Sequence, residues 1–134
     1  MARNIKDADL IKTVALAAAG ASSSTGSIDL NVSSGSALTE NIELVLDIPV
    51  LSALVDTETV TVTIEDSADN SSFAAVAGLG TKVATGTETP GTAAAIQQRY
   101  RFPDNVRRYV RATAAVSASA GDNTADSITI SLTI

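Results

Sequence analysis

The amino-acid sequence predicts an all-β protein, an antiparallel β-sandwich of about eight short strands. Apolar and hydroxylated residues alternate with a period of two in several segments, and clusters of Gly, Ser, Thr, Asn and Asp separate these segments. Such alternation gives each strand one face for a core and one face for water, while the clusters supply turn residues. The chain has 134 residues, which is the length of one domain.

Three segments carry the alternation most clearly. Valine or isoleucine alternates with threonine in Thr59–Ile64, and a similar pattern runs through Ser127–Ile134. Asn41–Ile48 alternates as well and stops at Pro49, which cannot donate to a strand ladder. Because β-branched residues with hydroxylated partners suit a half-buried pleated surface, all three segments are predicted strands.

Five weaker segments complete the predicted sandwich. They are Thr13–Ala18, Ser27–Val32, Phe73–Leu79, Ala94–Phe102 and Arg108–Ser117. The predicted turns between strands are Ala21–Gly26, Ser33–Ser36, Asp66–Ser72, Gly86–Thr92 and Gly121–Asp126. Strand order stays open, because a jelly roll and an immunoglobulin-like sandwich share this pattern, although neighbours joined by hairpins are favoured.

Three further segments lack a clear strand pattern. Pro49–Asp56 fits either one helical turn or a loop that crosses the sandwich, and Lys82–Thr92 is predicted to be an exposed loop. Residues 1–10 are polar and charged and are predicted to form a short N-terminal arm, which leaves residues 11–134 as a single domain. The acidic Asp7 and Asp9 argue against a secretory signal at this end.

The composition excludes several classes of chemistry. The chain has no Cys and no His, so disulfides, thiolate nucleophiles, Ser-His-Asp triads and His-based metal sites are absent. Aromatic residues are 3% of the chain, and much of its apolar content is alanine. Since an alanine-rich interior removes little apolar area from water, we expect contacts with neighbouring subunits to add to the stability of the folded chain. No enzyme activity and no cofactor are expected.

The charge pattern points to one cationic region on an acidic body. The formal net charge is −6, which disfavours direct binding to nucleic acid or to an anionic membrane, and no segment is long enough to span a bilayer. We define the arginine band as six candidate interface residues: Arg99, Arg101, Arg107, Arg108, Tyr109 and Arg111. If their two strands are neighbours, the guanidinium groups cluster on one exposed face.

Three readings of the arginine band stay open. The arginines can dock on an acidic protein, because Arg and Tyr are favoured at interfaces. They can also bind an acidic glycan or nucleic acid. Alternatively, they pair with carboxylates of their own molecule or oligomer.

Two groups of carboxylates are candidates for a cation site or for catalysis. The loop Glu65–Asn70 has the oxygen donors for Ca²⁺, but lacks the glycine and the distal Glu of an EF-hand loop, so a self-bonded polar hairpin is preferred. Phe73 is predicted to anchor the returning strand in the core. Two carboxylate pairs are candidates for glycoside hydrolysis, Glu43 with Asp47 and Glu65 with Asp66. The scarcity of aromatic rings argues against that activity.

Two segments together resemble a known family. Val60–Val76 and Arg101–Ala114 look like parts of the jelly-roll cement, or decoration, proteins encoded near the major capsid protein of tailed bacteriophages. The similarity follows the order of strands and turns over residues 25–134. It implies a β jelly roll that assembles as a homotrimer on the outer surface of the capsid, binds the major capsid protein and is assembled in the host cytoplasm. No catalytic, cofactor or metal residue carries over.

The leading hypothesis is therefore a structural virion protein that stabilises the capsid shell. The first alternative is a carbohydrate-binding or adhesion module of a phage tail or cell surface, which the scarcity of aromatic residues disfavours. The second alternative, an accessory domain of an enzyme, lacks a recognisable linker.

Overall fold

A computed structural model describes residues 10–31, 42–88 and 92–133. The predicted N-terminal arm lies outside these residues except for Leu10. The described residues form ten strands: β1 (Ile11–Ala15), β2 (Ser22–Ser24), β3 (Ile28–Asp29), β4 (Glu43–Ile48), β5 (Thr59–Ser67), β6 (Ala74–Ala75), β7 (Thr81–Thr85), β8 (Ile96–Arg101), β9 (Tyr109–Val116) and β10 (Ser127–Thr133). Nowhere in these three ranges is there a helix long and apolar enough to cross a membrane.

The strands form two antiparallel sheets, as the alternation predicts. The four-stranded sheet has the order β1-β10-β4-β8. In the six-stranded sheet β9 lies beside β5; β2 and β3 pair with successive parts of β9, and β6 and β7 pair with successive parts of β5. The chain therefore uses eight strand positions, two of them divided, which accounts for the difference between eight predicted strands and ten observed ones.

The order of these eight positions is that of a jelly roll. Numbered along the chain, the positions run 1-8-3-6 in the four-stranded sheet and 2-7-4-5 in the other. Every connection between consecutive positions passes from one sheet to the other, except the hairpin from β5 to β6. The expectation that hairpin neighbours pair is thus met at one connection only, and the jelly roll replaces the immunoglobulin-like alternative.

The core lies between the two sheets and is built by the alternating residues. Val60, Val62 and Ile64 of β5 are buried in one core cluster with Ile128 and Ile130 of the other sheet. The predicted inward face of β9 is buried as well, and all four of its members are small or β-branched: Val110, Ala112, Ala114 and Val116. Leu44, Leu46 and Ile48 supply the larger aliphatic side chains from β4. The interior is therefore aliphatic and slim.

Two strands were predicted as loops. The turn predicted at Ala21–Gly26 contains β2, whose three serines carry no apolar alternation. The exposed loop predicted at Lys82–Thr92 contains most of β7, an edge strand with Val83 on its outer face. In both cases pairing with a longer strand supplies the order, because β2 follows β9 and β7 follows β5. Local sequence does not contain that information.

The ambiguous segment Pro49–Asp56 is a loop that closes the core at one end of the sandwich. Leu51 and Leu54 are fully buried, and the amide of Leu54 donates to the carbonyl of Leu51 at 3.4 Å, which makes a single tight turn. Leu51 also exchanges backbone hydrogen bonds with Ala93 at 3.0 Å in both directions. The segment passes from the four-stranded to the six-stranded sheet, so the loop alternative is correct, and the helical turn is replaced by this tight turn.

Candidate interaction surfaces

The arginine band is divided between the two sheets. Arg99 and Arg101 lie on β8, at the edge of the four-stranded sheet, whereas Tyr109 and Arg111 lie on β9 in the six-stranded sheet. The chain between Phe102 and Arg108 crosses from one sheet to the other. The condition for a single cluster, that the two strands are neighbours, is therefore not met.

On the four-stranded sheet, Glu43 receives both arginines of β8. Nη1 of Arg99 lies 3.3 Å and Nε of Arg101 lies 3.8 Å from the Glu43 carboxylate. Val45, which pairs with Arg99 across the two strands, faces outward and is nevertheless only 4% exposed. On the outer face of this sheet, Val45 is thus an almost fully buried apolar residue. The ion pairs of Glu43 with the two arginines lie on the same face.

Arg108 makes a bidentate ion pair with Asp29, which follows Ile28 in β3. Its Nε and Nη2 donate to the two Asp29 oxygens at 2.9 and 2.8 Å. The hydrogen bond from Arg108 lowers the pKa of Asp29, and that same bond raises the pKa of Arg108. The Arg108 guanidinium also lies 5.2 Å from the centre of the Tyr109 ring.

Arg111 is held on the outer face of the six-stranded sheet by a carboxylate and a ring. Its Nε donates to Glu65 at 2.8 Å, and the same carboxylate oxygen accepts from the Thr113 hydroxyl at 3.0 Å. The Arg111 Cζ atom lies 3.9 Å from the centre of the Phe73 ring. Phe73 therefore packs on the outside of the sheet, and the prediction that it anchors a strand in the core is wrong.

The connection from β8 to β9 is fixed by Arg107 and Asp66. Alternation along β5 turns Asp66 toward the interior, and its side chain is 9% exposed. Arg107 donates from its backbone N to Oδ2 at 2.9 Å and from Nε to Oδ1 at 2.8 Å. This pair joins the corner between the sheets to the end of β5.

Each of the five arginines in the band thus contacts a carboxylate of its own molecule. This arrangement agrees with the third interpretation of the arginine band, in which the arginines pair with carboxylates of their own molecule. It holds the guanidinium groups in fixed positions and offsets much of their charge.

The loop Glu65–Asn70 is a self-bonded polar hairpin. Oδ1 of Asp69 accepts hydrogen bonds from the backbone N of Ser71 and of Ser72, each at 2.9 Å, and from the Ser67 hydroxyl at 2.8 Å. These bonds, the one from Ser72 foremost, lower the pKa of Asp69 to about 2. Within the described ranges there is no group of three or more acidic side chains arranged to hold a metal ion.

Neither proposed carboxylate pair converges on a common point. Glu43 and Asp47 are four residues apart on one strand, which separates their Cα atoms by about 13 Å. Asp47 accepts a hydrogen bond from Gln97 at 2.9 Å, while Glu43 binds the two arginines. Glu65 and Asp66 face opposite sides of β5 and bind different arginines.

A surface that the sequence analysis did not single out lies at one end of the sandwich. We call it the loop end; it consists of the described residues of four connections, 16–21, 49–58, 86–88 with 92–95, and 117–126. Five acidic residues belong to it: Asp56, Glu58, Glu88, Asp122 and Asp126. Its connections come from distant parts of the chain, so only the strand order reveals that these acids share one end. The opposite end contains the hairpin 68–73 and the corner 102–108.

Comparison with protein-family models relates the chain to a known family. A family model described as Bbp16 matches residues 10–132, and no curated protein matches the chain. The matched range runs from the residue before β1 to the penultimate residue of β10. The chain therefore belongs to the Bbp16 family.

Proposed function

We propose that this protein is a capsid cement protein, a structural component of a tailed-phage virion. It binds the outer surface of the shell formed by the major capsid protein, assembles as a homotrimer in the host cytoplasm and stabilises the shell. It acts through buried contact area and has no enzyme activity. The resemblance in Val60–Val76 and Arg101–Ala114 suggested this function, and the jelly-roll strand order is consistent with it.

The observation that carries the proposal is the outer face of the six-stranded sheet on the side nearer the loop end. There the central strands present short side chains, among them Thr61, Thr63 and Ala115. Arg111 lies on the same face, nearer the opposite end. Val83 of the neighbouring β7 is 41% exposed on the same face. Short side chains on a rigid sheet allow close packing of a neighbouring subunit with little loss of side-chain entropy.

The small interior supports the same proposal. Chains with aliphatic, alanine-containing cores gain stability when a partner binds only their folded state. Many copies on a regular shell also convert weak single contacts into strong attachment.

Two measurements test the proposal. Sedimentation equilibrium gives the mass of the purified chain, and we expect three times 13.6 kDa. Co-sedimentation with cognate capsid shells that lack this protein should show saturable binding and a higher temperature of shell disruption. A monomer that does not bind shells contradicts the proposal, and binding of a monomer to glycans would favour the adhesion module instead.

The arginine band is tested separately with a charge swap. Arg108→Asp should weaken shell binding or trimer formation, but it also breaks the bond to Asp29. The double variant Arg108→Asp with Asp29→Arg keeps an ion pair and reverses its orientation. If the cation at position 108 contacts a partner, the double variant stays impaired; if the pair only holds β3 to β9, the double variant recovers.

A further inference from the structure

The loop end is one continuous surface. The amide of Val55 donates to the carbonyl of Ala120 at 3.3 Å, and Asp56 forms a bridge with Gly86. A Cβ atom placed on Gly121 would lie 2.7 Å from the carbonyl oxygen of Ala53. The connections 49–58 and 117–126 therefore pack against each other, and Gly86 joins them at the start of the connection to β8.

This surface is apolar in its middle loop. Val50 is 53% exposed and Val55 is 45% exposed, and they are two of the three large apolar side chains that are exposed among the described residues. Exposed alanines also belong to the loop end, including Ala53, Ala94 and Ala118. Exposed apolar residues gathered on one rigid surface are typical of sites that bind another protein.

The charge of the loop end is of one sign. Its four connections contain five acidic residues and no Lys or Arg. Side-chain exposure is highest at Glu88 and Asp122, which are both exposed. The opposite end differs, because its arginines form ion pairs with carboxylates and, of its described residues, only Asp69 and Asp104 add unpaired acidic charge there. The loop end thus has five acidic residues and no ion pair within the described ranges.

We propose that the loop end is the surface that docks on the capsid shell, and that it recognises a basic protein surface with a small apolar depression. This inference rests on the proposed function and adds the face and the chemistry of the partner. An apolar centre with a charged rim is the usual anatomy of a protein interface. The acidic rim matches lysine and arginine side chains and repels nucleic acid.

A second copy of the chain fits this surface less well. The five arginines of the band are already paired with carboxylates, so they offer little free positive charge to an acidic end. The outer face of the six-stranded sheet and the loop end are also different surfaces. One molecule can therefore contact its own copies through one surface and the shell through the other.

Charge reversal at matched positions tests the acidic rim. Glu88→Lys changes the loop end, and Asp104→Lys makes the same change in net charge at the corner of the opposite end. In co-sedimentation with cognate empty shells, Glu88→Lys should bind roughly tenfold more weakly and show a smaller, though still measurable, dependence on salt, because four of the five acidic residues remain. Asp104→Lys should bind like the unmodified chain.

A second pair of variants tests the apolar centre. Val50→Ser removes an exposed apolar side chain from the loop end, whereas Val83→Ser removes one of similar exposure from the outer face of β7. Val50→Ser should weaken attachment to shells while sedimentation equilibrium shows an unchanged trimer. Val83→Ser lies on the face proposed to pack a neighbouring subunit, so any loss of attachment in this variant should come with a loss of trimer. Thermal unfolding of all four variants shows whether each remains folded, and circular dichroism at the binding temperature confirms that binding is compared between folded chains.

Carbodiimide cross-linking of saturated shells gives a readout that does not depend on substitution. This reagent joins carboxylates directly to lysines, so links to the capsid protein should involve Asp56, Glu88 or Asp122 and not Asp104. If the unmodified chain fails to bind shells, the proposed function fails and the docking assignment fails with it. If the chain binds but Asp104→Lys is the weaker variant, or the cross-links map to the opposite end, only the docking assignment is overturned.

Discussion

Arg107 satisfies both the side chain and the backbone of Asp66. Its Nη2 lies 2.6 Å from Oδ1 of Asp66 and donates to the Asp66 carbonyl at 2.7 Å, in addition to the bonds from Nε and from the backbone N. The carboxylate faces the interior at the end of β5, where hydration is restricted. A corner that connects the two sheets is thereby fixed to a strand 41 residues earlier.

Arg107→Ala is expected to destabilise the protein by about 2–4 kcal/mol. The substitution leaves the inward-facing Asp66 carboxylate without its charged partner, and a buried unpaired charge is costly. Urea unfolding followed by circular dichroism measures the free energy of unfolding. Arg101→Ala is the control, because its side chain is 75% exposed and its pair with Glu43 is long at 3.8 Å, so its effect should stay within about 0.5 kcal/mol. Equal effects of the two substitutions would contradict this account of the corner.

Gly86→Ala is expected to destabilise the loop end by at least 1–3 kcal/mol, about the cost of overpacking a core. A Cβ at this position would lie 2.0 Å from the carbonyl oxygen of Val55 and 2.7 Å from that of Leu54, so backbone would have to move. Gly26→Ala is the matched control, since its Cβ would meet only the Lys12 side chain, at 3.5 Å. Thermal unfolding of both variants distinguishes them, and a Gly86→Ala protein as stable as Gly26→Ala would refute the predicted clash.

The sequence predicts the strands better than it predicts their partners. Alternation identifies β5 and β10 nearly in full, because each has one buried and one exposed face. It does not identify β2 or β7, which are edge strands ordered by pairing with β9 and β5. Pairing joins residues far apart in the chain, such as Ile11 and Ser131. No local pattern specifies such a register.

The same limit explains the errors at the candidate sites. Alternation places Arg99 and Arg111 correctly on outer faces, but the sheet to which each belongs depends on the crossing between β8 and β9. Phe73 follows the polar loop and is predicted to anchor the returning strand in the core, whereas its ring lies beneath the Arg111 guanidinium on the outer face of the sheet. The acids of the loop end are separated by up to 70 residues, so their proximity follows only from the fold.

Asp69 is expected to make stability depend on pH in the acidic range. Its folded pKa of about 2 lies below the ordinary value of 3.8, so its contribution is fully present above pH 3.8 and is lost as the pH falls through about 2. Carbon-detected NMR of the side-chain carboxyl should give half-protonation near pH 2. The stability difference between the unmodified chain and Asp69→Ala should shrink over the same interval. A carboxyl that titrates near 3.8 would show that the backbone bonds to Asp69 do not form.

Tyr100→Phe is expected to leave the protein as stable as before or to stabilise it slightly. The Tyr100 hydroxyl is buried and has no hydrogen-bond partner among the described residues, and the residue is only 7% exposed. Burial raises the pKa of this hydroxyl, so the hydroxyl stays neutral. Its transfer from water to the interior without a hydrogen bond lowers the free energy of unfolding.

A double-mutant cycle of Phe73 with Arg111 measures what a ring with a known partner contributes to stability, and Tyr100→Phe serves as the comparison without such a partner. Phe73→Leu should cost about 0.5–1 kcal/mol through lost contact with the Arg111 guanidinium, and the cost should vanish in an Arg111→Ala background. Tyr100→Phe has no such partner and should have the same effect in both backgrounds. A loss of more than about 1 kcal/mol in Tyr100→Phe, measured by urea unfolding, would mean that the hydroxyl does donate a hydrogen bond in the folded protein.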